Sequence, residues 1–452
     1  MKEALRVLVE RVRDILRRSS AHPVLRQATR YACLTVVVKV GALVREVVVA
    51  AAFGVSGAMD AYLMAVVVIG FPAGVLASPV QTIYVRDFVL TKETRGEAAA
   101  NRLFLGTVLT LLVVMTVVLI FWLAFLPNIV AVVGQGFTAD QRSLVIDCVH
   151  ALTINYLLTG VNLTGYGTLQ ARKDFAPGAL IPLAVPVVSL LMVLMIGGDL
   201  RALIWGLNVG ALIETVLIYR RLTHSGLTIF RPQWQPGDRE SLRRLALGAA
   251  LLVPTWLLTS LSPMIEQTIA SSLGSGVVSS LGYAVRLPTM ITNILVTAVG
   301  FTVLPHFTEM MASRQIDQLG RFFARYAALL VIGGTLVAIL AFILSEPFVR
   351  IAFQRGAFTI EDTLVVTELQ QAYLLQIPGA LVGTLSARML VACGALRAVT
   401  ATFVVVVPLA GLAQWWLSSL WGAAGVAYGT SLGVSLSAIF LTFVALLVSR
   451  KL

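Results

Sequence analysis

The sequence predicts an all-α polytopic membrane protein, with about twelve transmembrane helices in two six-helix lobes around a central cleft. Three observations carry this expectation. Of the 452 residues 58% are hydrophobic and 12% charged, about half the roughly 25% charge of a soluble domain, and mean hydropathy is +0.90. Apolar stretches close to the ~20 residues that a bilayer crossing needs recur along the whole chain. Lys and Arg crowd into alternate connections between them.

In chain order, residues 1–28 come first. MKEALRVLVERVRDILRR places Leu5, Leu8, Val12, Ile15 and Leu16 on one face, with Arg6, Arg13, Arg17 and Arg18 largely elsewhere. It is too charged for a signal peptide and predicts an amphipathic helix on the cytoplasmic leaflet. Twelve spans follow, near 31–53, 60–85, 103–126, 144–168, 177–197, 202–219, 245–271, 278–304, 326–345, 364–387, 398–417 and 421–448. On this count 27 of the 34 Lys and Arg lie on one side, four (Arg142, Arg201, Arg350 and Arg355) on the other, and Lys39, Arg45 and Arg286 within spans. The positive-inside rule then places both termini in the cytoplasm of a bacterial inner-membrane protein. The longest cytoplasmic connection, with Pro232, Pro236 and Gly237 at its centre, separates spans 1–6 (29–222) from spans 7–12 (245–452) as a linker, 223–244. The halves are faintly alike: DAYLMAVVVIGFPAGVL (60–76) parallels LGYAVRLPTMITNIL (281–295), as expected of parallel repeats. Prolines inside spans, such as Pro72, Pro79, Pro254, Pro263, Pro288, Pro378 and Pro408, predict kinks.

Composition also excludes functions. Cys33, Cys148 and Cys393 form no disulfide framework, and His22, His150, His224 and His306 form no metal-ligand pattern. HExxH, Gly-rich phosphate loops and nucleophile elbows are absent from the sequence, so neither enzyme chemistry nor a metal or cofactor is expected. The net charge of +12 reflects topology and contact with anionic phospholipids, and needs no nucleic acid.

The site is expected around the first span, VVVKVGALVREVVVAAAF (36–53). At 100° per residue Lys39, Ala42, Arg45 and Glu46 fall within an arc of about 120°. Each charge at mid-bilayer costs roughly 2.5–3.5 kcal/mol on insertion scales, so this stripe must face a polar cavity or a partner. Arg286 lies at matching depth in span eight, and Asp60 stands at the start of span two. Lys39, Arg45, Glu46, Asp60 and Arg286 are therefore the expected substrate-binding residues, and paired guanidinium forks fit a phosphorylated anion. The competing arrangement pairs Arg45 with Glu46 or Asp60 and Arg286 with a carbonyl, and only locks packing. Glu214, Glu266 and Glu368 are buried acids suited to coupling, with Glu266 the choice for a link to membrane potential, H⁺ or Na⁺.

VREVVVAAAFGVSGAMDAY (44–62) resembles the first-helix signature of the MurJ/MviN lipid II flippases, within the multidrug/oligosaccharidyl-lipid/polysaccharide exporter superfamily. GTLQARKDFAPGALIP (167–182), YAVRLPTMITNILVTAVGFTVLPHF (283–307), FQRGAFTIEDT (353–363) and AYGTSLGVSLSA (427–438) are similar in the same order. The resemblance covers most of the chain. It implies a two-lobe flippase that carries a polyprenyl-diphosphate-linked saccharide from inner to outer leaflet by alternating access, with cell-envelope synthesis proteins as partners. It also implies that Lys39 takes a family arginine position, that Arg45 and Arg286 retain two others, and that Asp60 matches a family aspartate. Departures stand at Ala73, Ser78 and Thr289, where the family carries charged residues, and in the span count, since members usually have fourteen. An exopolysaccharide or O-antigen repeat on the same carrier is the alternative cargo. A cation-coupled small-molecule exporter is a further alternative, although the cavity charges here are basic.

Overall fold

A computed structural model describes residues 23–227, 235–312 and 316–451, and every regular element among them is helical. Most of the amphipathic segment expected at 1–28 lies outside these residues, as does 228–234 of the linker. The first half comprises α1 (Pro23–Phe53), α2 (Gly57–Arg95), α3 (Glu97–Ala124), α4 (Leu126–Val133), α5 (Ala139–Ala151), α6 (Thr153–Ala171), α7 (Phe175–Leu180), a short 3-10 turn at Ile181–Leu183, α8 (Ala184–Ile196) and α9 (Leu200–His224). The second half comprises α10 (Pro236–Ser272), α11 (Val277–Ala284), α12 (Arg286–Ala312), α13 (Ile316–Ile343), α14 (Ser345–Phe353), α15 (Ile360–Leu374), α16 (Gln376–Ala392) and α17 (Leu396–Lys451).

Among the described residues eight helices are long and apolar enough to cross a membrane, or nine if α5 and α6, bent by 44°, form one span. The chain is a multi-span membrane protein. α1 is also long enough, but it places Lys39, Arg45 and Glu46 within one crossing length. α17 runs for 56 residues, about 84 Å at 1.5 Å per residue, against a ~30 Å hydrocarbon core. It turns back at Trp421–Gly422, where Gly422 takes φ 56°, a left-handed conformation that glycine reaches without steric cost. Each of the twelve expected spans falls on helix.

Prolines locate several breaks. Val285 before Pro288, Leu344 before Pro347 and Leu375 before Pro378 each stand three residues ahead of the ring, at a junction between two helices. A proline in the first turn lacks only an N–H that would have no partner there, whereas one deeper in a helix clashes with the preceding turn. Pro72 and Pro79 in α2, Pro254 and Pro263 in α10, and Pro408 in α17 stay inside continuous helix instead.

Helix packing follows the two halves. α2 packs on α3, α5 and α6, and α9 packs on α6 and α8; α16 packs on α12, α13 and α17. The halves meet mainly along α2 and α10, with smaller contacts of α2 on α11 and of α1 on α12 and α14. At the arginine-rich end there are two cores, the first of which also takes Leu245 of α10. Tyr84, Phe88, Phe104 and Ile218 fill the first, and Phe307, Phe323, Leu385 and Met389 the second. At the opposite end one core is shared, with Met59, Tyr62 and Met64 beside Tyr283, Phe353 and Phe358.

Polar ties reinforce that shared end. The Asp60 carboxylate, 0% exposed, accepts hydrogen bonds from the backbone N–H groups of Gly276 and of Ser279, the latter at 2.7 Å. It thereby caps α11 from the other half, where the unpaired N–H groups and helix dipole favour an anion. The Ala357 N–H donates to Ala51 O at 2.8 Å, an approach that requires Gly356, since a Cβ there would lie 2.2 Å from the same oxygen. At the arginine-rich end Asp238 accepts from Arg95 at 2.9 Å and Arg102 at 2.6 Å, tying α10 to α2 and α3.

Asp60→Ala strands buried N–H groups and is expected to cost about 1–3 kcal/mol, read as a fall in the thermal midpoint of the purified protein in detergent. An unchanged midpoint would show that α11 does not depend on this cap.

Candidate functional site

α1 delivers Arg45 and Glu46 to the shared end, eight and seven residues before its C-terminal Phe53. Arg286 is the first residue of α12, so the proline-directed break at Val285 sets its position. These three side chains meet. Arg45 Nη1 donates to Glu46 Oε1 at 2.8 Å, and Arg286 Nη2 lies 3.4 Å from Glu46 Oε2. One carboxylate from the first half thus bridges its neighbouring guanidinium and one from the second half. Side-chain exposure is 13% for Arg45, 10% for Glu46 and 39% for Arg286.

Arg45 makes two further hydrogen bonds. Nε donates to Ser189 Oγ at 2.9 Å and Nη2 to Tyr62 OH at 3.2 Å. Ser189 stands on α8 and Tyr62 on α2, so Arg45 is gripped from three helices and its fork is fixed in direction. Arg286 is looser, and its Nε is buried without a hydrogen-bond partner among the described residues. The arrangement offers a fixed cation, a half-exposed cation with unused donors and a bridging carboxylate. An anion entering here can compete with Glu46 for both forks, through the charge-assisted geometry that suits phosphate oxygens.

The other expected residues are distributed differently. Asp60 caps α11 and is not part of this cluster. Lys39 is half-buried on α1, with no hydrogen bond or ion pair among the described residues. Ala73 is buried and Thr289 exposed. Tyr62 and Ser189 were not singled out from the sequence. Tyr62 belongs to the Asp-Ala-Tyr turn that opens α2, and Ser189 is a lone hydroxyl in the apolar run of α8; neither had a visible partner until α2 and α8 folded against α1.

Glu266 occupies a separate position on α10. Tyr373 OH donates to its Oε1, and Thr430 Oγ1 lies 3.0 Å from Oε2. Gln414 Nε2 donates to Thr430 Oγ1 at 3.0 Å. Thr430 and Gln414 also line a cavity of about 430 Å³ among α10, α12, α16 and α17. Glu266 is thus surrounded by neutral donors. Glu214 on α9 is held likewise by Tyr166 OH, while Glu368 is exposed on α15. Among the described residues no cluster of His, Cys, Asp and Glu could hold a metal ion.

The fold belongs to a class of known transporters. A lipid II flippase MurJ in an inward closed conformation superposes with a TM-score of 0.73 at 18% identity, covering 93% of this chain and 90% of that one. An inward-facing multidrug resistance MATE family transporter of the MOP superfamily gives 0.77 at 12% identity, covering 93% and 99%. Within that class the sequence narrows the assignment. The family model for the lipid II flippase MurJ matches residues 49–447, and this chain belongs to that family, one of transporters and not of enzymes. A probable lipid II flippase MurJ from Rickettsia prowazekii (strain Madrid E) is 26% identical over 361 residues, 77% of this chain and 69% of that protein. The chain spans less than two thirds of other curated relatives.

Two substitutions separate the contributions to the cluster. In Arg45→Ala the Glu46 carboxylate keeps Arg286, so the loss is expected near 1–3 kcal/mol. Glu46→Ala leaves two guanidiniums facing one another and is expected to cost more, about 3–5 kcal/mol. Thermal midpoints in detergent should therefore fall further for Glu46→Ala, and the reverse order would show that Arg286 does not engage Glu46.

Proposed function

We propose that this protein carries a polyprenyl-diphosphate-linked saccharide, lipid II or a related cell-envelope glycolipid, from the inner to the outer leaflet of the bacterial cytoplasmic membrane by alternating access. The observation that carries the proposal is the meeting of Arg45 and Arg286, one from each half, on the single carboxylate of Glu46. A diphosphate can replace Glu46 between the two forks, and it then bears the charge that joins the lobes. The shared core at one end and separate cores at the other support a cleft open on the arginine-rich side, where the positive-inside rule puts the cytoplasm. The half-exposed state of Arg286 leaves it available to an entering anion. Family membership supplies the cargo class, since the relatives are named for lipid II.

Uncharged residues at Ala73, Ser78 and Thr289 favour a second cargo on the same carrier, an exopolysaccharide or O-antigen repeat unit. They leave the Arg45–Arg286 grip in place. Depletion of the protein should make one undecaprenyl-linked intermediate accumulate on the cytoplasmic face, and its saccharide would choose between the two. Cell-envelope synthesis proteins that make or consume it are the expected partners.

Transport is the sharper test. Arg45→Ala and Arg286→Ala should each reduce flipping in reconstituted vesicles by about tenfold or more, the loss of one charge-assisted pair. Arg45→Lys should be partly defective because an ammonium cannot match two phosphate oxygens, and Lys39→Arg should be tolerated. Arg45→Ala combined with Glu46→Gln should not restore flipping, since it removes the ion pair of Arg286 as well. Full transport in that double variant would reduce Arg45 to a packing residue.

Coupling is assigned to Glu266. A carboxyl held by Tyr373 and Thr430, with no cation beside it, can exchange a proton or hold Na⁺, and a charge moved across the membrane supplies ~2.3 kcal/mol per 100 mV. Glu266→Gln should lose the response of flipping to an imposed potential or ion gradient. A response equal to that of the parent protein would remove the acid from this role.

A further inference from the structure

A second polar site lies far from the Arg45–Arg286 pair. A cavity of about 790 Å³ opens between α2 and the end of α6, lined by Gln81, Thr82, Arg86, Glu93 and Gln170 among apolar neighbours. On α2 these positions form adjacent columns at i, i+4 spacing, so they share one face. The opposite faces of the same turns are already committed. Tyr84 and Phe88 are buried in the core of the first half, and Ile83 meets Gly248 of α10.

Several basic side chains at this end of the molecule are committed to ion pairs. Arg95 and Arg102 bind Asp238, Arg172 binds Glu97, and Arg221 binds Asp174. Among the described residues Arg86 and Glu93 have no ion-pair partner, and the carboxamides of Gln81 and Gln170 have no hydrogen-bond partner. A guanidinium fork, two carboxamides and a carboxylate converging on one cavity make an inventory suited to a phosphorylated sugar. The fork takes phosphate oxygens, while amides and carboxylate take hydroxyl and acylamino groups. Glu93 also disfavours a bare anionic phospholipid, whose head offers charge and few hydroxyls.

We propose that this cavity is a first docking station for the saccharide-diphosphate head of a lipid-linked sugar, occupied before the head reaches Arg45 and Arg286. The inference rests on the proposed function above. Tyr62, which touches Arg45, precedes Gln81 by 19 residues on α2, about 28 Å of helix at 1.5 Å per residue. A diphosphate bearing one or two sugars cannot bridge that distance, so the two sites act in sequence. Arg86 collects the head at the arginine-rich face, and the deeper pair receives it.

The test uses cysteine protection in inside-out vesicles of the full chain, with native cysteines replaced. Thr82→Cys reports the first station and Thr289→Cys, three residues beyond Arg286, the deep one. Polyprenyl-diphosphate-linked disaccharide should slow maleimide labelling of Thr82→Cys several-fold, and this protection should persist when Arg45→Ala is added and vanish with Arg86→Ala. Arg86→Ala alone should raise the KM for flipping about tenfold, the scale of one lost charge-assisted contact. Protection of Thr289→Cys without protection of Thr82→Cys would overturn the docking station and leave the proposed cargo standing. Protection of neither would overturn both. Equal protection by phosphatidylglycerol vesicles lacking the sugar lipid would make the cavity an anionic-lipid site and overturn the proposal.

Discussion

Much of this protein depends on one carboxylate placed between two guanidiniums inside a membrane. An isolated cation at that depth is costly, and removing one partner from a buried pair costs more than the pair contributes. Glu46 makes Arg45 and Arg286 tolerable together. Because the two arginines come from different halves, the same interaction that neutralises them also joins the halves. An anion that displaced Glu46 would therefore act on both arginines and on the contact between the halves at once. That coupling is what alternating access requires, since a ligand shifts a conformational equilibrium only through differential interaction with its states.

The surroundings determine how the two cations differ. Ser189 and Tyr62 take two further donors of Arg45 beside the one that Glu46 takes, and three helices hold its orientation. Arg286 follows a helix break, has a buried Nε without a partner among the described residues and is half-exposed. One fork is preorganised and the other adaptable, a division suited to first capturing and then releasing an anion. Asp60 contributes indirectly: by capping α11 it secures the short helix whose end positions Arg286. An aspartate that resembles a cargo contact in the sequence is thus a positioning residue in the structure.

The second half carries an independent polar centre at Glu266, Tyr373, Thr430 and Gln414. Its acid has neutral donors and no cation, the opposite of the Glu46 arrangement. The two centres thus have contrasting electrostatics, two cations around one acid in the first and one acid among neutral donors in the second, and they stand on different helices.

Helical character, span positions and the charged stripe on α1 were legible in the sequence because they depend on local composition and on the period of the helix. Runs of Val, Leu and Ala between arginine-rich connections mark crossings whatever their neighbours are. The breaks at Val285 and Leu375 were within reach too, since proline acts on its own preceding turn. The depth match of Arg45 and Arg286 followed from counting residues along each span. Partnership was legible only for the Arg45–Glu46 pair, which are neighbours in the sequence. That Glu46 also takes Arg286, that Ser189 and Tyr62 hold Arg45, and that Asp60 turns to Gly276 and Ser279 depend on which helix faces stack, at separations from 17 residues for Tyr62 to 216 for Gly276, where every apolar face is nearly equivalent in lipid. Side-chain packing between helices removes that equivalence, and only the tertiary structure decided it.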